Sequence, residues 1–404
     1  MTRTGRSRNL QAMSAHYDVV IAGGGVMGCA VASFLTADPA FAGRVLVVER
    51  DPSYEFCSTT RSWGGVRQQF STAENIRMAQ FNAGFFKRAE ETLVVDGDVP
   101  ALGFKEQGYL FLVDDEHADA LRAVHATQVG LGAAVELLAP AELAARFPWL
   151  NTDGVAIGSL GTADEGWLDP HAVLHAFRRK ARVQGAEFRR DEVATLNRHD
   201  GRIDGVTLAS GERIAAGTVV NCAGWRAGAL AATADIDLPV GPRKRMTYVF
   251  DCREDLSAMP LTIDPTGAVA RPESGQYLGL ISPPEEDDPE LEDFTEEYGL
   301  FEEVIWPTLA NRIPAFEAIK LSRAWAGLYD YNSFDHNAVL GPHPELPGIL
   351  FCNGFSGHGI QQSPAAGRAI AELIVHGGYK TLELGAFGYD RILENRPLKE
   401  AAVV

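Results

Sequence analysis

Residues 17–28 read YDVVIAGGGVMG, and this stretch decides the fold. Tyr17 to Ala22 is a short apolar run rich in β-branched residues, which predicts a strand. The glycines that follow lead into VMGCAVASFL, whose small and apolar residues predict a buried helix. A strand, a tight turn and a helix form half of a βαβ unit, so the sequence predicts a parallel sheet covered by helices.

The glycines have the spacing G-x-G-x-x-G of the dinucleotide-binding fingerprint, and Glu49 ends the next predicted strand, residues 44–49. Gly23 permits a tight turn, Gly25 lets the backbone approach a pyrophosphate, and Gly28 allows close contact between helix and strand. The N-terminus of the helix offers N–H groups and partial positive charge to the phosphates. A carboxylate at Glu49 suits a ribose with two free hydroxyls, so the motif favours FAD or NAD over NADP.

The position of the next glycine-marked strand favours FAD over NAD. An NAD dehydrogenase usually builds its second mononucleotide-binding half soon after the first. Here the strand TVVNCAGW, residues 218–225, comes much later in the chain. In a flavoprotein such a strand returns beside the first one, and its Ala-Gly turn must lack bulk to pass close to the cofactor.

The composition excludes several classes of protein. With 404 residues, 46% of them hydrophobic, the chain predicts a globular protein of two closely packed lobes. The formal net charge of −18 argues against a nucleic-acid partner. The five cysteines are scattered, and no Cys/His cluster has the spacing of a zinc site, so we expect reduced thiols and no metal. We expect a cytoplasmic protein without a membrane span, because no signal peptide or long apolar run is present.

The lobes are predicted to be interleaved along the chain. A cofactor-binding domain is expected over residues 17–100, 150–235 and 335–385, and a substrate domain over 101–149 and 236–334. The substrate domain should be built on an antiparallel sheet, because residues 239–281 have strand character throughout. Residues 1–16 contain three arginines and no acid, and we expect a disordered extension there. A targeting segment or a start at Met13 would give the same composition.

Residues 285–303 contain eleven acidic residues and no basic one. Apolar residues recur there at three- and four-residue spacing, which predicts an amphipathic helix with a solvated acidic face. The apolar positions are Leu291, Phe294, Tyr298, Phe301, Ile305 and Leu309. A surface that docks a partner is the alternative interpretation.

Three further motifs, together with the fingerprint, resemble a known family. They are SWGGVRQQF (62–70), VVNCAGW (219–225) and GFSGHGIQQSPAAGRAIAEL (354–373). The chain resembles the FAD-dependent amine oxidoreductases of the D-amino-acid oxidase, sarcosine oxidase and glycine oxidase group. RKRMTYVF (243–250) and WAGLYDYNSFDHNAVLGPHP (325–344) are similar to the FAD-dependent oxidoreductase domain-containing branch. The resemblance implies a mixed α/β fold, with a Rossmann-like FAD-binding domain interleaved with an antiparallel-sheet substrate domain.

The resemblance also implies how FAD is bound. Sarcosine oxidase attaches its flavin through a cysteine where this chain has Gly327, so we expect non-covalent FAD. Ser363 and Pro364 are expected to begin a helix that stabilises negative charge on the reduced flavin. The implied cofactor-binding residues are Gly23, Gly25, Val26, Met27, Gly28, Glu49, Arg50, Thr59, Ser62, Gly64, Gly65, Val193, Ala223, Gly224, Trp225, Gly354, Gly357, His358, Gly359, Ile360 and Gln361.

The substrate site is expected to hold arginines and tyrosines. Arg67 aligns with an arginine near the flavin and substrate in sarcosine oxidase, and it can hold a carboxylate through two hydrogen bonds. A solvent-exposed salt bridge is the alternative. Strand alternation places Arg243 and Arg245 on one face, where they either hold a second carboxylate or are exposed charges. The residues assigned to catalysis are Arg67, Tyr248, Tyr329, Tyr331, His358 and Gln361, and those assigned to substrate binding are Arg67, Arg243, Arg245, Tyr248, Tyr329 and Tyr331.

The resulting hypothesis is oxidation of the C–N bond of an amino acid or N-substituted glycine. Hydride is transferred to flavin N5, the imine is hydrolysed, and O₂ or another acceptor takes the electrons. Gln361 stands where sarcosine oxidase has a lysine that helps O₂ react, so the resemblance implies slower electron transfer to O₂ in this chain. Two alternatives remain: an FAD-dependent 2-hydroxy-acid dehydrogenase and a flavin-stabilised assembly or scaffold protein. The oligomeric state is left open.

Overall fold

The computed structural model describes residues 16–400, so the extension expected over residues 1–16 lies, except for His16, outside the described residues. The strands are β1 (His16–Ala22), β2 (Val45–Glu49), β3 (Gly65–Val66), β4 (Tyr109–Val113), β5 (Val135–Leu138), β6 (Ile157–Gly161), β7 (Gly166–Trp167), β8 (Glu187–Arg190), β9 (Val193–His199), β10 (Arg202–Leu208), β11 (Arg213–Asn221), β12 (Val240–Cys252), β13 (Leu261–Ile263), β14 (Ala268–Glu273), β15 (Gln276–Ile281), β16 (Ile319–Asn332), β17 (Val339–Pro342) and β18 (Ile349–Asn353). The α-helices are α1 (Val26–Ala37), α2 (Ala73–Lys87), α3 (Ala89–Thr92), α4 (Ala118–Gly130), α5 (Pro140–Arg146), α6 (Pro170–Val183), α7 (Ala227–Ala232), α8 (Trp306–Arg312), α9 (Gly359–His376) and α10 (Asp390–Leu393).

The first sheet has the order β17-β18-β11-β1-β2-β8, and β10 and β9 follow beside β11. β1 runs parallel to both β2 and β11. Val19 and Ile21 face the core formed with α1, α6 and α9, whereas Val20 and Ala22 face the core formed with β9, β10 and α7. Both faces of β1 are therefore buried, which is why the opening strand is a continuous apolar run and not an alternating one.

The second sheet has the order β16-β12-β15-β14-β13-β4-β6-β5. Its neighbouring strands are antiparallel except for β13 and β4, which are parallel. One face packs against a π-helical turn, Phe301–Ile305, and α8. The mixed α/β fold, Rossmann-like in the first lobe and largely antiparallel in the second, is confirmed.

The predicted boundary between the lobes at residue 150 differs from the boundary in the structure. β6 pairs with β4 and β5 in the second sheet, although residues 150–235 were assigned to the cofactor domain. The chain therefore returns to the first lobe after Gly161 and not at residue 150. Val155 and Leu160 belong to a small core under the second sheet, and a short strand of this kind is not distinguished by its sequence from one in the first sheet.

The helix predicted across the acidic segment is wrong for most of its length. Residues 285–287 form a 3₁₀ turn, residues 288–298 contain no helix, and the helical turns begin only near Phe301. We call residues 285–298 the acidic strap. It crosses β12, where Lys244 Nζ lies 2.6 Å from Asp293 Oδ2 and Arg245 binds the carboxylate of Asp288. These ion pairs, together with Pro289, favour an extended path over a helix.

The predicted start of the helix after the Gly-His-Gly motif is also wrong. α9 begins at Gly359, so Pro364 lies inside the helix and Ser363 is not its N-cap. Asn82 Oδ1 accepts the N–H of Ala365 at 2.8 Å, and Ser363 Oγ donates to the carbonyl of Ile360 at 2.9 Å. These side-chain hydrogen bonds offset the irregularity that a proline causes in a helix.

Within residues 16–400, no helix is both long enough and apolar enough to cross a membrane.

A buried ion pair fastens α10 to the loop after β16. Arg391 Nε and Nη2 donate to the two carboxylate oxygens of Asp335 at 2.8 and 3.0 Å, and the side chains are 2% and 0% exposed. The guanidinium also donates to the carbonyls of Phe387 and Asn337. Removing one partner of such a pair leaves a buried charge without compensation.

Arg391→Leu should lower the free energy of unfolding by about 3–5 kcal/mol, because Asp335 would remain buried without its cation. Urea titration followed by tryptophan fluorescence measures the change. Arg396→Leu is the matched control, since Arg396 pairs with Asp390 and Glu394 at an exposed site and its loss should have little effect. Equal destabilisation by the two substitutions would show that the buried pair has no special role.

Candidate functional site

The glycine turn brings the ends of β1 and β11 together. Gly23 has φ +100°, and a Cβ atom built on it would lie 2.3 Å from the carbonyl oxygen of Cys222. A Cβ atom on Gly28 would lie 1.9 Å from the carbonyl oxygen of Gly23. Both positions therefore require glycine for packing within the protein. Gly25 differs, because it lines an open channel.

The channel runs along the glycine turn, the end of β2 and the loop before α9, and its empty space, including the part open to solvent, is about 1520 Å³. Most of the predicted cofactor-binding residues line it: Gly23, Gly25, Val26, Met27, Glu49, Arg50, Thr59, Ser62, Val193, Ala223, Gly224, Trp225, Gly357, Gly359 and Ile360. Gly28 and Gly354 do not; Gly28 lies under the turn, and Gly354 contacts Val240 and Asn332. The residues brought together come from widely separated segments, as the predicted extended cofactor requires.

Glu49 is held at the end of β2 by two backbone N–H groups. Its Oε2 accepts the N–H of Gly24 at 2.7 Å, and its Oε1 accepts the N–H of Asp51 at 2.8 Å. Burial raises the pKa of this carboxyl, while the two backbone hydrogen bonds oppose the shift. Each carboxylate oxygen has a second lone pair, so Glu49 can still accept hydrogen bonds from ribose hydroxyls.

The rest of the channel also fits a dinucleotide. Thr59 Oγ1 accepts the N–H of Val26 at 3.2 Å, which leaves its own hydroxyl hydrogen for a phosphate oxygen. Trp225 presents an aromatic surface to the channel, with the guanidinium carbon of Arg50 4.9 Å from its ring centre. An anion-binding helix terminus, a hydroxyl donor, a ribose-binding carboxylate and an aromatic surface are the groups that FAD needs.

A second cavity opens between the loop at residues 58–67 and the second sheet, and its empty space, including the part open to solvent, is about 970 Å³. It shares Ser58, Ser62, Tyr329, Gly357 and Ile360 with the channel, so the two spaces meet at these residues. Gly64, Gly65, His358 and Gln361, which were predicted to bind the cofactor, line this second cavity. We call it the substrate cavity.

Arg67, which is buried, and His358, which is partly buried, form a pair at the edge of the substrate cavity. Arg67 Nη2 lies 2.9 Å from Nε2 of His358, and because a guanidinium can only donate, Nε2 must be the acceptor. Burial and the charge of Arg67 lower the pKa of His358 to about 3, so the imidazole is neutral and carries its hydrogen on Nδ1. Gln361 Oε1 accepts the backbone N–H of Arg67 at 2.9 Å. Arg67, His358 and Gln361 are thus one hydrogen-bonded unit.

Arg243 and Arg245 lie on the same face of β12, as predicted, but both are paired with acids of the strap. Arg245 donates to the two oxygens of Asp288 at 2.8 and 2.7 Å, and Nη1 of Arg243 lies 3.6 Å from Glu290. Arg245 lines the substrate cavity and Arg243 does not. Their charge is largely neutralised by the strap, which weakens the case for a second carboxylate site.

Tyr248 lies on the opposite face of the second sheet, away from both cavities. Its ring packs against Phe301, and its hydroxyl donates to the carbonyl of Glu297. Strand alternation explains this position, because Tyr248 is five positions after Arg243 and three positions after Arg245, and odd offsets place side chains on opposite faces. Tyr248 therefore belongs to the core and not to the site.

Tyr329 and Tyr331 lie on the same face of β16 but differ in what surrounds them. Tyr329 lines both the channel and the substrate cavity and packs against Gly357. Tyr331 lines neither of them; its hydroxyl is 2.8 Å from Nε2 of His336. Of these two tyrosines, only Tyr329 is positioned to contact ligands in both the channel and the substrate cavity.

Sequence reasoning missed Asp330, which lines the channel next to Tyr329. One of its oxygens accepts the N–H of Phe355 at 3.1 Å, and its carbonyl accepts the N–H of Ser356. Burial raises the pKa of Asp330 to about 6. A charged residue within the otherwise apolar and aromatic run WAGLYDYN was the available signal. Among residues 16–400, no cluster of three or more His, Cys, Asp or Glu side chains could hold a metal ion.

Comparisons with known proteins agree with this geometry. Residues 18–373 match the family described as FAD dependent oxidoreductase. FAD-dependent oxidoreductase domain-containing protein 1 of Xenopus laevis is 42% identical, with 96% of this chain and 85% of that protein covered. Glycine oxidase of Bacillus licheniformis is 27% identical over 94% of this chain and 98% of that protein. The crystal structure of L-proline dehydrogenase from P. horikoshii has a TM-score of 0.84 and 27% identity, covering 95% of this chain and 100% of that one.

Gly25→Ala should weaken FAD binding by about tenfold or more, because the methyl group would occupy space where the backbone approaches the pyrophosphate. The apoprotein should tolerate the change, since the new Cβ would meet only Cys57 Sγ at 3.3 Å and Thr59 Oγ1 at 3.6 Å. Fluorescence titration with FAD and thermal unfolding of the apoprotein measure the two effects.

Gly84→Ala is the matched control. Gly84 lies inside α2 and a Cβ there would meet no atom within 4 Å, so the substitution should stabilise the helix by about 0.5–1 kcal/mol without altering FAD affinity. Unchanged FAD affinity in Gly25→Ala would show that the turn does not cradle the pyrophosphate.

Proposed function

Because the chain belongs to the family of FAD-dependent oxidoreductases, we propose that it holds FAD non-covalently and oxidises the C–N bond of an amino acid or N-substituted glycine. One observation carries this proposal: a cavity with a buried arginine opens onto the cofactor channel at Tyr329 and Gly357. Within residues 16–400, no acidic side chain lines this cavity. The cavity therefore presents the guanidinium of Arg67 to a carboxylate substrate.

FAD supplies a two-electron acceptor that takes hydride from the carbon next to the amine. The residues of the chain bind and orient the substrate. Arg67 holds the carboxylate, and its charge, together with exclusion of water, lowers the pKa of the substrate ammonium group. The amine thus loses a proton, its lone pair forms the C=N bond as hydride leaves, and water then converts the imine into a carbonyl compound and a free amine or ammonia.

His358 is a positioning residue in this proposal and not a general base. Its Nε2 lone pair is directed at Arg67, and its depressed pKa leaves the imidazole a weak base. Its role is to hold the guanidinium at the edge of the cavity, while Gln361 holds the backbone of the same arginine. The proton of the substrate amine is therefore lost to solvent.

Gln361 also influences which molecule accepts the electrons of the reduced flavin. It occupies the position of the sarcosine oxidase lysine, and a neutral amide does not stabilise the negative charge that develops on O₂ as superoxide forms. We therefore propose slow reaction of the reduced protein with O₂ and turnover with a different acceptor.

Anaerobic mixing of the FAD-loaded protein with proline, sarcosine, glycine and larger amino acids tests the proposal. At least one amine should bleach the flavin absorption and yield the matching carbonyl product, and subsequent mixing with O₂ should restore the colour slowly. Bleaching by 2-hydroxyglutarate or other 2-hydroxy acids, with none by any amine, would assign the site to hydroxy-acid oxidation. A flavin that stays oxidised with every compound would contradict both activities.

His358→Gln should retain flavin reduction with nearly unchanged pH dependence, because the amide oxygen can replace Nε2 as an acceptor for Arg67. His358→Leu should raise the substrate Kd about tenfold, because the guanidinium loses a hydrogen bond that holds it. Stopped-flow reduction between pH 6 and about 9 measures Kd and the limiting rate. If His358 were the base, both variants would lose the limiting rate and its pH dependence together.

A further inference from the structure

One wall of the substrate cavity is an apolar sheet face. Leu261, Ile263, Val269 and Leu280 line the cavity from three neighbouring strands, β13, β14 and β15. Ile263 is the cross-strand partner of Val269, and Val269 is the partner of Leu280, so their side chains lie side by side. The alternate residues Ala268 and Ala270 point the other way, into the core beneath α8.

The apolar wall is not part of the protein's larger cores. Leu261, Ile263 and Val269 form a separate small cluster with Tyr109, Phe111 and Trp167, and Leu280 packs at its edge. An apolar surface of this kind bordering a cavity gains stability when a ligand displaces water from it.

The apolar wall lies next to Arg67, the cationic side chain at the edge of the cavity. The guanidinium carbon of Arg67 is 5.2 Å from the ring centre of Phe111, and Phe111 is the cross-strand partner of Ile263. A single molecule can therefore place a carboxylate beside Arg67 and an apolar group against Ile263 and Val269. Glycine and sarcosine have no group that can reach both.

We infer that the substrate is an amino acid that carries a branched alkyl or aryl group, which lies on the wall formed by Leu261, Ile263, Val269 and Leu280. This inference rests on the proposed function and deepens it by naming the substrate class. The shared chemistry is a carboxylate with a large apolar arm, and the arm is attached either to the α-carbon or to the nitrogen.

Binding of inert carboxylates tests the inference without requiring oxidation. Acetate, 4-methylpentanoate and phenylacetate are titrated into the FAD-loaded protein, and the shift of the flavin absorption spectrum gives each Kd. The two larger acids should bind at least about tenfold more tightly than acetate, because each buried methylene group adds to the affinity. Equal affinities for the three acids would overturn the inference while leaving the proposed function intact.

Anaerobic reduction of the flavin then shows whether the apolar group of the substrate is attached to the α-carbon or to the nitrogen. Leucine and phenylalanine are compared with glycine, and N-isobutylglycine and N-benzylglycine are compared with sarcosine. The series that gains affinity with size identifies the atom that carries the apolar group. Tight binding of phenylacetate with no reduction by any amine would retain the cavity assignment and reject amine oxidation.

Two substitutions test whether the apolar wall causes the preference for larger carboxylates. Val269→Phe fills the middle of the wall and should weaken phenylacetate binding at least about tenfold, with acetate affected less than about twofold. Leu280→Ala removes apolar area at a partly exposed position and should lower the preference for phenylacetate over acetate without unfolding the protein. Val183→Phe, at an exposed position at the end of α6, is the control and should leave all affinities unchanged. Equal loss of acetate and phenylacetate binding in both wall variants would contradict a role in size selection.

Discussion

The close approach of two backbones, at Gly23 and Cys222, is the constraint on which the rest of the structure depends. No side chain fits between them, so the ends of β1 and β11 meet and the channel passes directly over their termini. β11 arrives there only after the chain has left the first sheet and returned. The cofactor channel thus exists only when segments far apart in sequence have paired.

The acidic strap sets the electrostatics of the other lobe. Arg243 and Arg245 lie on one face of β12 and Lys244 lies on the other, and the strap supplies a carboxylate to each of them. Arg67 lies outside this set of ion pairs and contacts His358 and Gln361. The strap therefore reduces the positive charge that β12 contributes beside the cavity.

The sequence predicted the first lobe better than the second. The glycine spacing and the strand before it place the channel correctly, because a tight turn depends on local sequence alone. Counting alternate residues along β12 from Arg243 and Arg245 would have assigned Tyr248 to the core from the sequence alone. The extended path of the strap could not be predicted from the sequence, because its apolar residues at helical spacing predict a helix. The ion pairs that hold the segment extended are made with residues of another strand. Pro364 inside α9 likewise depends on Asn82, a side chain from a distant helix.

The interleaving of the lobes has a consequence for how such a protein can be altered by recombination. β4 to β6 and β12 to β16 form one sheet, yet the strands of the other lobe lie before, between and after them in the chain. Exchange of the second lobe with that of a relative requires two separate inserts, and a single crossover would join strands that have no partners. The sheet face that lines the substrate cavity is therefore easier to alter by point substitution than by exchange of the whole lobe.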